Sequence, residues 1–442
     1  MASQTTGKNE HTQRRLEQVA HHMNASGRPG VIEKHPDDIV VTTALRTAIT
    51  KGGRGGFKDT AGADLLVGAF KSLIERSGID PNLVEDIAVG NVLAPGGGAT
   101  EFRAAALAAG FPSSTAVKAL NRQCSSGLQA CVDIANAIKC GTIEIGIGAG
   151  VESMSTQYGP QAVTEFSDLL ENHKEAAECK VPMGALSEQM AKDRKIDRKS
   201  QDEFAFNSYR KAAEAQKKGL FDEEIAPLKV KWTDPKTDEE KKITVSKDDG
   251  VREVTVESLG KIKPAFAKDG SIHAGNASQI SDGASAVLFM KRSTAEKLGQ
   301  KILGKYVTAS VVGVPPLLMG IGPWKAIPVA LQKVGLSIED IDIYEINEAF
   351  ASQCLWCANE LKIPHDKINP KGGAIALYVL FSHTTLKFKL TNNPPSGHPL
   401  GNTGSRQVST LLYELKRTQK RVGVTSMCVG GGMGMAAVWV AE

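Results

Sequence analysis

The sequence predicts an α/β fold made of two similar halves, with a lid inserted between them. Patterns of buried strands and amphipathic helices alternate from about residue 38, and the same alternation returns after about residue 296. Between the halves, residues 156–276 carry crowded charges and surface-type helical patterns. Because repeated β-α-β units form sheets covered by helices, we expect a mainly parallel sheet with helices on its faces.

Composition places the chain among folded globular proteins and narrows its function. Hydrophobic residues make up 41% of the 442 residues and charged residues 23%, which excludes a mostly disordered chain and a polytopic membrane protein. The length predicts two to three domains. The net charge of +4 and the aromatic content of 5% are too low for a nucleic-acid surface, so we expect no nucleic-acid partner.

The cysteines predict free thiols and not a disulfide framework. An odd number of them is spread along a long chain, at positions 124, 131, 140, 179, 354, 357 and 428. No stretch approaches the length of an apolar membrane span, and the N-terminus lacks the apolar core of a signal peptide. We therefore expect a soluble protein of a reducing compartment, with no membrane span.

Residues 1–36 are polar and are interpreted as an N-terminal targeting segment. Within them, four apolar side chains spaced i, i+3, i+4, i+7 from Leu16 predict a short helix. Arg15-Leu16, then five residues, then His22-Met23 resembles the N-terminal peroxisomal targeting signal Arg-Leu-x5-His-Leu. This predicts import into peroxisomes through the receptor for that signal. An idle amphipathic tail and a mitochondrial transit peptide are the alternatives, and acidic residues weaken the second.

The N-terminal half is predicted to span residues 37–155 and to be completed by about residues 277–295. Strands are expected at residues 38–43, 86–93, 115–120 and 143–148, and helices at residues 62–77, 101–109 and 125–139. The C-terminal half, residues 296–442, repeats this order. Its strands are expected at residues 308–312, 341–346, 422–428 and 436–440, and its helices at residues 325–334, 350–361 and 405–416. The shared order suggests an internal duplication.

The inserted segment, residues 156–276, is predicted to form a lid. Helical patterns at residues 185–194 and 201–217 look surface-borne, and the charge run at residues 234–242 is interpreted as a solvated loop. Functional sites of such folds lie at the carboxyl ends of the strands, so we expect the lid to cover the site.

Cys124 is a candidate nucleophile because it lies between a strand ending near Leu120 and a helix starting near Ser125. A helix N-terminus favours the thiolate, so we expect the pKa of this thiol to be lowered. Cys131, on the apolar face of that helix, is interpreted as core. On position alone, Cys124 could equally be a buried hydrophobic residue.

Four short motifs occur along the chain. They are Asn-Arg-Gln-Cys-Ser-Ser-Gly at residues 121–127, Asn-Glu-Ala-Phe at 347–350, Gly-His-Pro-Leu-Gly at 397–401 and Cys-Val-Gly-Gly-Gly-Met-Gly at 428–434. In type and order they resemble the motifs of thiolases, the enzymes that cleave or join 3-ketoacyl-CoA. The resemblance covers the chain from about residue 38 to its end. It implies the thiolase fold, in which two duplicated α/β halves form a layered α-β-α-β-α core with an inserted lid domain.

The resemblance implies a role for five of these residues. Cys124 would attack the 3-keto carbon and carry the shortened acyl group, and His398 would be the base that forms its thiolate. Cys428 would protonate the departing acetyl-CoA enolate and later deprotonate CoA. By the same analogy, His398 and a water held by Asn347 serve the enolate. The backbone N–H groups of Cys124 and Gly430 serve the tetrahedral intermediate.

The resemblance also implies a CoA site beneath the lid. Met183, Phe266 and Ser278 stand where thiolases line the path of the pantetheine. The substrates would be 3-ketoacyl-CoA and CoA, with no metal and no cofactor beyond them. A homodimer is expected from the resemblance alone.

The residues of two motifs resemble those of the degradative 3-ketoacyl-CoA thiolases, the acetyl-CoA acyltransferases of fatty-acid β-oxidation. Residues 122–126 read Arg-Gln-Cys-Ser-Ser, and residues 398–404 read His-Pro-Leu-Gly-Asn-Thr-Gly. Relatives specific for acetoacetyl-CoA usually carry Cys-Gly-Ser and His-Pro-Ile-Gly-Ala-Ser instead. The alternatives are an acetoacetyl-CoA thiolase and a thiolase-fold protein that binds acyl-CoA without turning it over.

Several of the singled-out residues also have simpler interpretations. Asn347 could be a helix N-cap, and residues 430–434 could form a nucleotide loop, although a strand follows them where that loop needs a helix. Cys354 and Cys357 have redox-type spacing but lie in a helical pattern and are interpreted as structural. Cys179 could meet an active-site cysteine under oxidation, or be an ordinary loop cysteine.

Residues 378–396 depart from the thiolase pattern. They separate Gly-Gly-Ala-Ile-Ala-Leu, ending at Leu377, from Gly397 and His398, and deleting them restores the motif. Codons for the two ends of the segment can contain GT and AG, the dinucleotides at the ends of an intron. We therefore hypothesise that the segment is an intron retained in frame, and genomic sequence would test this. Closing such a loop costs on the order of 2–3 kcal/mol, but a shift of about 1 Å in a catalytic group costs about 10²-fold in rate. We expect activity to be reduced or lost unless the segment bulges outward.

Overall fold

The computed structural model describes residues 26–157, 165–377 and 398–442. Within these ranges, one continuous sheet runs through the molecule. The targeting motif at residues 15–23 and the segment at residues 378–396 lie outside the described residues. Among the described helices, none combines the length and the apolar character needed to cross a bilayer.

Thirteen strands are described, eleven of them in the continuous sheet. In chain order they are β1 Ile39–Thr47, β2 Thr50–Lys51, β3 Asp86–Gly90, β4 Ala116–Leu120, β5 Ile145–Ser153, β6 Ile225–Ala226, β7 Leu228–Thr233, β8 Glu240–Val245, β9 Ser281–Lys291, β10 Gly304–Gly313, β11 Ile343–Ile346, β12 Val422–Val429 and β13 Met433–Ala441. The sheet runs β11-β12-β13-β10-β1-β9-β5-β3-β4, with β2 paired to β9 and β6 to β1, while β7 and β8 form a separate hairpin.

Strand pairing reveals two copies of one arrangement. β1, β9, β5 and β3 pair in that order as antiparallel, antiparallel and parallel neighbours. β10, β13, β12 and β11 repeat the same series. The copies join through the antiparallel pair β1–β10. The predicted duplication is therefore present in the topology, and each of these strands has a counterpart in the other half.

The helices complete a layered core. In chain order they are α1 Gly27–Ile32, α2 Gly62–Ser77, α3 Ala99–Ala109, α4 Ser126–Lys139, α5 Met154–Gln157, α6 Asp168–Glu171, α7 Lys174–Glu178, α8 Met183–Asp193, α9 Arg198–Lys217, α10 Val256–Gly260, α11 Arg292–Lys297, α12 Gly322–Gln332, α13 Ala351–Glu360, α14 Ala374–Leu377 and α15 Thr403–Arg417. α4 and α15 share one apolar cluster with strands of both halves. α2 and α3 cover the outer face of the first half, and α12 and α13 that of the second. The order of layers is α-β-α-β-α, as predicted.

Helix α2 shows how directly local sequence determines an element. Its apolar side chains repeat at helical spacing and are buried, at positions 65, 66, 69, 70 and 73. Gly78 ends the helix in the left-handed conformation, with φ of 62°, and its N–H donates to the carbonyl of Ile74. The predicted helix at residues 62–77 is confirmed to the residue.

The sheet is mixed, so the prediction of a mainly parallel sheet is wrong. β9 is antiparallel to both of its long neighbours, β1 and β5, and the sequence analysis assigned no strand to it. Ten of its eleven residues are buried. Since both faces are covered, β9 lacks the alternation of polar and apolar residues that identifies a half-exposed strand.

Two further boundaries differ from the predictions. β5 was expected at residues 143–148 but continues to Ser153, which brings its last residues to the edge where the motifs gather. The charge run at residues 234–242 is not all loop, because Glu240 begins β8, which pairs with β7. Its first residues do form an exposed turn.

Between β5 and β9 the chain forms α5 to α10 and β6 to β8, and a buried ion network ties this segment to both halves. Arg46 of β1 donates from Nε to Glu224 over 2.7 Å and from both terminal nitrogens to Asp248 over 2.7 and 2.9 Å. Lys371 of the second half donates to the other oxygen of Glu224 over 2.8 Å. Burial opposes ionisation of Glu224, but Lys371 and Arg46 hold its pKa down at about 2.

Candidate active site

Cys124 lies on a tight turn between β4 and α4. The preceding residue, Gln123, has a φ of 47°, a left-handed conformation that is uncommon for a residue with a side chain. The Ser126 hydroxyl accepts from the N–H of Arg122 over 2.9 Å and donates to the carbonyl of Gln123 over 2.7 Å. These two bonds hold the turn closed, so the Cys124 sulfur is presented at the N-terminal end of α4.

The thiol of Cys124 is buried and lies among backbone donors. Only 2% of the residue is exposed. Burial raises the pKa of Cys124 to about 12, and the nearby backbone N–H groups of Gly430 and of Cys124 itself offset that effect in part. The prediction of a lowered pKa is therefore wrong, because desolvation outweighs the helix N-terminus. In the free protein Cys124 is a neutral thiol.

Cys428 belongs to the other half of the sheet and lies near enough to Cys124 for the two thiols to influence each other electrostatically. It is the last residue but one of β12 and pairs with Gly434 of β13. Burial raises its pKa well above the ordinary thiol value, and the neighbouring Cys124 raises it further. The turn after it contains Gly431 and Gly432, whose φ angles of 77° and 87° suit glycine. That turn brings the Gly430 amide to the Cys124 sulfur.

His398 is buried, with 1% exposed, and its ring is held on one side. Its Nδ1 lies 2.6 Å from the hydroxyl of Thr403, and that hydroxyl donates to the carbonyl of Pro399 over 3.0 Å. Since a hydroxyl has one proton, Nδ1 must donate to Thr403, which leaves the lone pair on Nε2. Among the described residues, Nε2 has no hydrogen-bond partner.

The imidazole of His398 is neutral. Burial lowers its pKa to about 3, and the nearby positive charge of Arg406 acts in the same direction. A neutral ring with a free Nε2 can accept a proton, which is what a general base requires.

Asn347 follows β11 directly, and its N–H donates to the carbonyl of Ser426 over 2.9 Å. Its side chain is buried, and neither its oxygen nor its nitrogen has a partner among the described residues. The alternative of a helix N-cap is wrong, because α13 begins at Ala351 and Phe350 precedes it as the cap. A buried amide without a partner is a ready binding group for a water or a ligand.

The segment that contains His398 packs closely, backbone against backbone, on α4, the helix that follows Cys124. A Cβ atom on Gly127, in the first turn of α4, would lie 2.5 Å from the carbonyl oxygen of Gly401. A Cβ atom on Gly404, in the first turn of α15, would lie closer than 3.0 Å to the N atom of Leu128. The two helix ends can approach this closely only because both positions are glycine.

The residues predicted to line the CoA path gather beside Cys428. Met183, at the start of α8, and Phe266 are half-buried and pack on one apolar cluster that includes Cys428. Phe266 meets Phe350 edge-on, with ring centroids 6.1 Å apart. Ser278 is buried, and its N–H and its hydroxyl both donate to the carbonyl of Ala349, over 3.0 and 3.1 Å. Phe266 and Ser278 therefore contact the segment that follows Asn347, and Met183 packs against the apolar cluster to which that segment belongs.

The remaining cysteines separate into two environments. Cys354 and Cys357 are buried in α13, and Cys357 contacts the carbonyl of Gly320 at 3.3 Å, which agrees with the structural interpretation. Cys179 is exposed, and its sulfur lies 3.9 Å from the carbonyl oxygen of Gly431. Cys179 therefore stands beside the turn that follows Cys428.

Sequence analysis missed two residues of this region. Thr403 was part of a motif but received no role, although its hydroxyl fixes the ring of His398. Glu152 was missed because β5 was expected to end at residue 148, four residues before Glu152. It accepts one hydrogen bond from the segment of His398, donated by the N–H of Gly401. Among the described residues, no group of three or more His, Cys, Asp or Glu side chains is arranged to hold a metal ion.

These features are those of an enzyme class that transfers acyl groups through a cysteine: a buried thiol, a neutral base, amide donors and a second thiol at the edge of a duplicated α/β sheet. Residues 39–293 match the family "Thiolase, N-terminal domain", and residues 300–384 and 395–441 match "Thiolase, C-terminal domain". The chain belongs to the thiolase family. The ten residues that this match leaves out, 385–394, lie within the atypical segment at 378–396.

Similar proteins include a peroxisomal 3-ketoacyl-CoA thiolase of Yarrowia lipolytica. It is 55% identical over 419 residues, which cover 95% of this chain and 96% of the relative. The dimeric peroxisomal thiolase of Saccharomyces cerevisiae superposes with a TM-score of 0.84 at 48% identity, covering 94% of this chain and 100% of that one. A second structure of the yeast enzyme, described as five-layered and built from two core domains of identical topology, has a TM-score of 0.74 at 43% identity over 93% of this chain and 100% of that one.

Proposed function

We propose that this chain is a 3-ketoacyl-CoA thiolase of fatty-acid β-oxidation, an acyltransferase that uses CoA to cleave 3-ketoacyl-CoA into acetyl-CoA and a shortened acyl-CoA. The observation that carries the proposal is the proximity of two buried thiols, Cys124 and Cys428, with the turn of Gly430 packed against Gln123, the neighbour of the first. The relatives named above share the activity by name and match the chain over nearly its whole length.

The first step forms a bond from the Cys124 sulfur to the 3-keto carbon of the substrate. His398 accepts the thiol proton at Nε2 as the bond forms, so the sulfur attacks as a thiolate although it rests as a thiol. The carbonyl oxygen becomes an oxyanion, and the backbone N–H groups of Cys124 and Gly430, which lie near the sulfur, are the donors proposed for it.

The second step breaks the bond between C2 and C3 of the substrate. The acyl group stays on Cys124 as a thioester, and acetyl-CoA leaves as an enolate, which takes the proton of Cys428. The burial that raises the pKa of Cys428 keeps that proton on the sulfur until the enolate forms. Asn347, whose side-chain atoms have no partner within the described part of the chain, holds a water for the enolate oxygen together with His398.

The third step returns the free enzyme. The thiolate of Cys428 takes the proton of incoming CoA, and the CoA sulfur attacks the thioester on Cys124. The shortened acyl-CoA leaves, and the proton held by His398 returns to Cys124. Two thiols and one imidazole therefore move every proton of the cycle, with CoA as a substrate and no cofactor beyond it.

CoA reaches this centre under the lid. We assign residues 156–276 as the lid between an N-terminal half at 37–155, completed by about 277–295, and a C-terminal half at 296–442. Met183, Phe266 and Ser278 line the pantetheine path, because they converge on the segment between Asn347 and α13.

The site of action we propose is the peroxisome, reached through the import receptor that reads Arg15-Leu16 and His22-Met23 in the targeting segment 1–36. The relatives of the Yarrowia and yeast type are peroxisomal by name, which favours the peroxisome over the mitochondrion. The yeast structure is a dimer, and a homodimer is proposed here.

The atypical segment at residues 378–396 leaves a rival function open to test: a thiolase-fold protein that binds acyl-CoA without turnover. The experiment compares CoA-dependent thiolysis of a medium-chain 3-ketoacyl-CoA by the full chain and by a version lacking these residues. Acetoacetyl-CoA serves as the second substrate. Cys124→Ala removes the nucleophile, and Cys140→Ala changes an exposed cysteine as the matched control.

Activity in the full chain that is abolished by Cys124→Ala and kept by Cys140→Ala supports the proposal. Activity in the shortened version alone supports the chemistry and assigns the full chain to the binding function. Preference for acetoacetyl-CoA identifies the acetoacetyl-specific class instead. No turnover by either version contradicts the enzymatic function.

A further inference from the structure

The two halves of the sheet place a glutamate and a cysteine at corresponding positions. In the first half, Glu152 is the last residue but one of β5 and pairs with Gly283 at the start of β9. In the second half, Cys428 is the last residue but one of β12 and pairs with Gly434 at the start of β13. Since β5 and β12 are counterparts, Glu152 occupies in the first half the place that Cys428 occupies in the second.

The same correspondence relates two asparagines. Asn91 follows β3, whose last residue pairs with Gly150, two residues before Glu152. Asn347 follows β11, whose last residue pairs with Ser426, two residues before Cys428. The first half thus contains an asparagine and a glutamate where the second half contains an asparagine and a thiol.

The pair in the first half is closed to ligands by its own hydrogen bonds. Asn91 donates from Nδ2 to the carbonyl of Val151 over 2.8 Å and to Glu152 over 2.9 Å. Its side-chain oxygen accepts from the N–H of Ala94 over 2.7 Å. The equivalent Asn347 has no such partners among the described residues. One asparagine is structural and the other is free to bind.

The Glu152 side chain, which is fully buried, accepts four hydrogen bonds. Oε1 accepts from Asn91 and from the N–H of Leu93 over 3.1 Å, and Oε2 accepts from the N–H groups of Val92 and Gly401 over 3.1 and 2.9 Å. Every one of these neighbours is a donor, so the geometry suits a carboxylate. Such bonds offset part of the cost of burying the charge, and burial still raises the pKa of Glu152 to about 7.

The bond to Gly401 crosses from the first half to the second. Gly401 lies three residues after His398, and a Cβ atom on it would come within 2.6 Å of the Gly90 and Val151 carbonyl oxygens. The segment of His398 is therefore pressed against the ends of β3 and β5 and held there by Glu152. This contact lies on the C-terminal side of the histidine, away from residues 378–396.

We propose that Glu152 is a positioning residue, which fixes His398 relative to Cys124 by holding the Gly401 amide. This assignment rests on the proposed function, because it requires that His398 act as the base toward Cys124. The carboxylate touches no substrate in this assignment. Its effect on the reaction passes through the histidine, and this distinguishes it from a residue that only stabilises the fold.

A double-mutant cycle tests this assignment in the full chain. Glu152→Gln keeps the shape but turns an NH2 group toward two N–H donors, His398→Ala removes the base, and the third variant combines them. The readouts are kcat and KM for CoA in thiolysis, and the rate at which iodoacetamide alkylates Cys124, followed by mass spectrometry. Glu152→Asp keeps the charge with a shorter reach and carries the test if Glu152→Gln does not fold.

A matched control is Asp38→Asn, which changes another buried carboxylate. Asp38 accepts from Arg292 and Lys305 over 3.0 Å each, at the amino end of β1. Along β9, the residue opposite Ile39 and the residue opposite Glu152 are eight positions, or about 27 Å, apart. This variant is expected to lower the melting temperature without changing kcat below it.

If Glu152 acts through His398, Glu152→Gln lowers kcat and the alkylation rate about 10²-fold, with KM for CoA within about twofold. In the His398→Ala background it then lowers neither rate further, because the group it positions is gone. Equal losses in both backgrounds, or no loss in either, would overturn the assignment. If the wild-type chain shows no thiolysis, the proposed function is refuted. The positioning role of Glu152 is still tested, because the alkylation rates of the wild type and the variants do not depend on turnover.

Discussion

The hydroxyl of Thr403 lies between the Nδ1 atom of His398, at 2.6 Å, and the carbonyl oxygen of Pro399, at 3.0 Å. Because the hydroxyl proton is used on the carbonyl, the ring must supply the proton of the shorter bond. The threonine therefore selects the tautomer in which Nε2 is free. The base function proposed for the histidine therefore depends on a residue five positions away in the same segment.

Replacing Thr403 with valine removes this selection while keeping the volume of the side chain. We expect kcat for thiolysis to fall about 10²-fold, because the ring can turn or change tautomer. Thr403→Ser retains the hydroxyl and should keep most of the activity. Steady-state kinetics on both variants measure the effect, and melting temperatures show whether they are folded. Full activity of Thr403→Val would contradict the role of the hydroxyl.

Gly404→Ala tests the close approach of α4 and α15. The new methyl group would meet the backbone of Leu128, which cannot move aside as a flexible side chain could. We expect the free energy of unfolding to fall by about 1–3 kcal/mol and thiolysis to weaken with it. Gly313→Ala is the control, since nothing lies within 4 Å of its added Cβ atom. Urea unfolding of both variants measures the difference, and equal losses would refute the argument.

The buried thiol of Cys124 predicts a loss of stability at alkaline pH. In the unfolded chain the thiol ionises near its ordinary pKa of 9.0, whereas burial raises the pKa of Cys124 in the fold to about 12. The contribution is thus fully present below pH 9 and is lost as pH rises from about 9 to about 12. In Cys124→Ser the free energy of unfolding should decline less steeply over this range. An unchanged slope would mean that the thiol is not desolvated.

Asp248→Asn tests the ion network that ties the segment between β5 and β9, the proposed lid, to β1. The substitution removes the charge that both terminal nitrogens of Arg46 bind, in a region without solvent. Breaking a buried pair in this way typically lowers stability by about 3–5 kcal/mol. Glu240→Gln, which breaks the exposed pair with Lys231 on the lid hairpin, should change stability little. Thermal unfolding of both variants provides the comparison.

Local sequence was sufficient for elements whose pattern is complete within a few turns. Helix α2 was predicted to the residue, since its apolar spacing and Gly78 both act locally. β9 was missed because burial on both faces leaves no alternation to recognise. Its antiparallel position between β1 and β5 depends on contacts far apart in the chain.

The candidate site was likewise predicted only where the information is local in the sequence. The motifs identified Cys124, His398 and Cys428 as candidates, because residue type and spacing survive in the sequence. The direction of the Cys124 pKa shift was predicted wrongly, since it depends on how completely the fold removes water from the sulfur. Glu152 was missed because its importance comes from donors in two segments far apart in the chain, residues 91–93 and Gly401, which only the folded chain brings together.

The correspondence of Glu152 and Cys428 also determines what a recombined chain could do. A protein made of two first halves would bury a carboxylate at both strand ends and would have no thiol there to pass a proton to an enolate. A protein made of two second halves would have two such thiols but no carboxylate to hold either histidine segment. The halves share a topology, yet neither can replace the other.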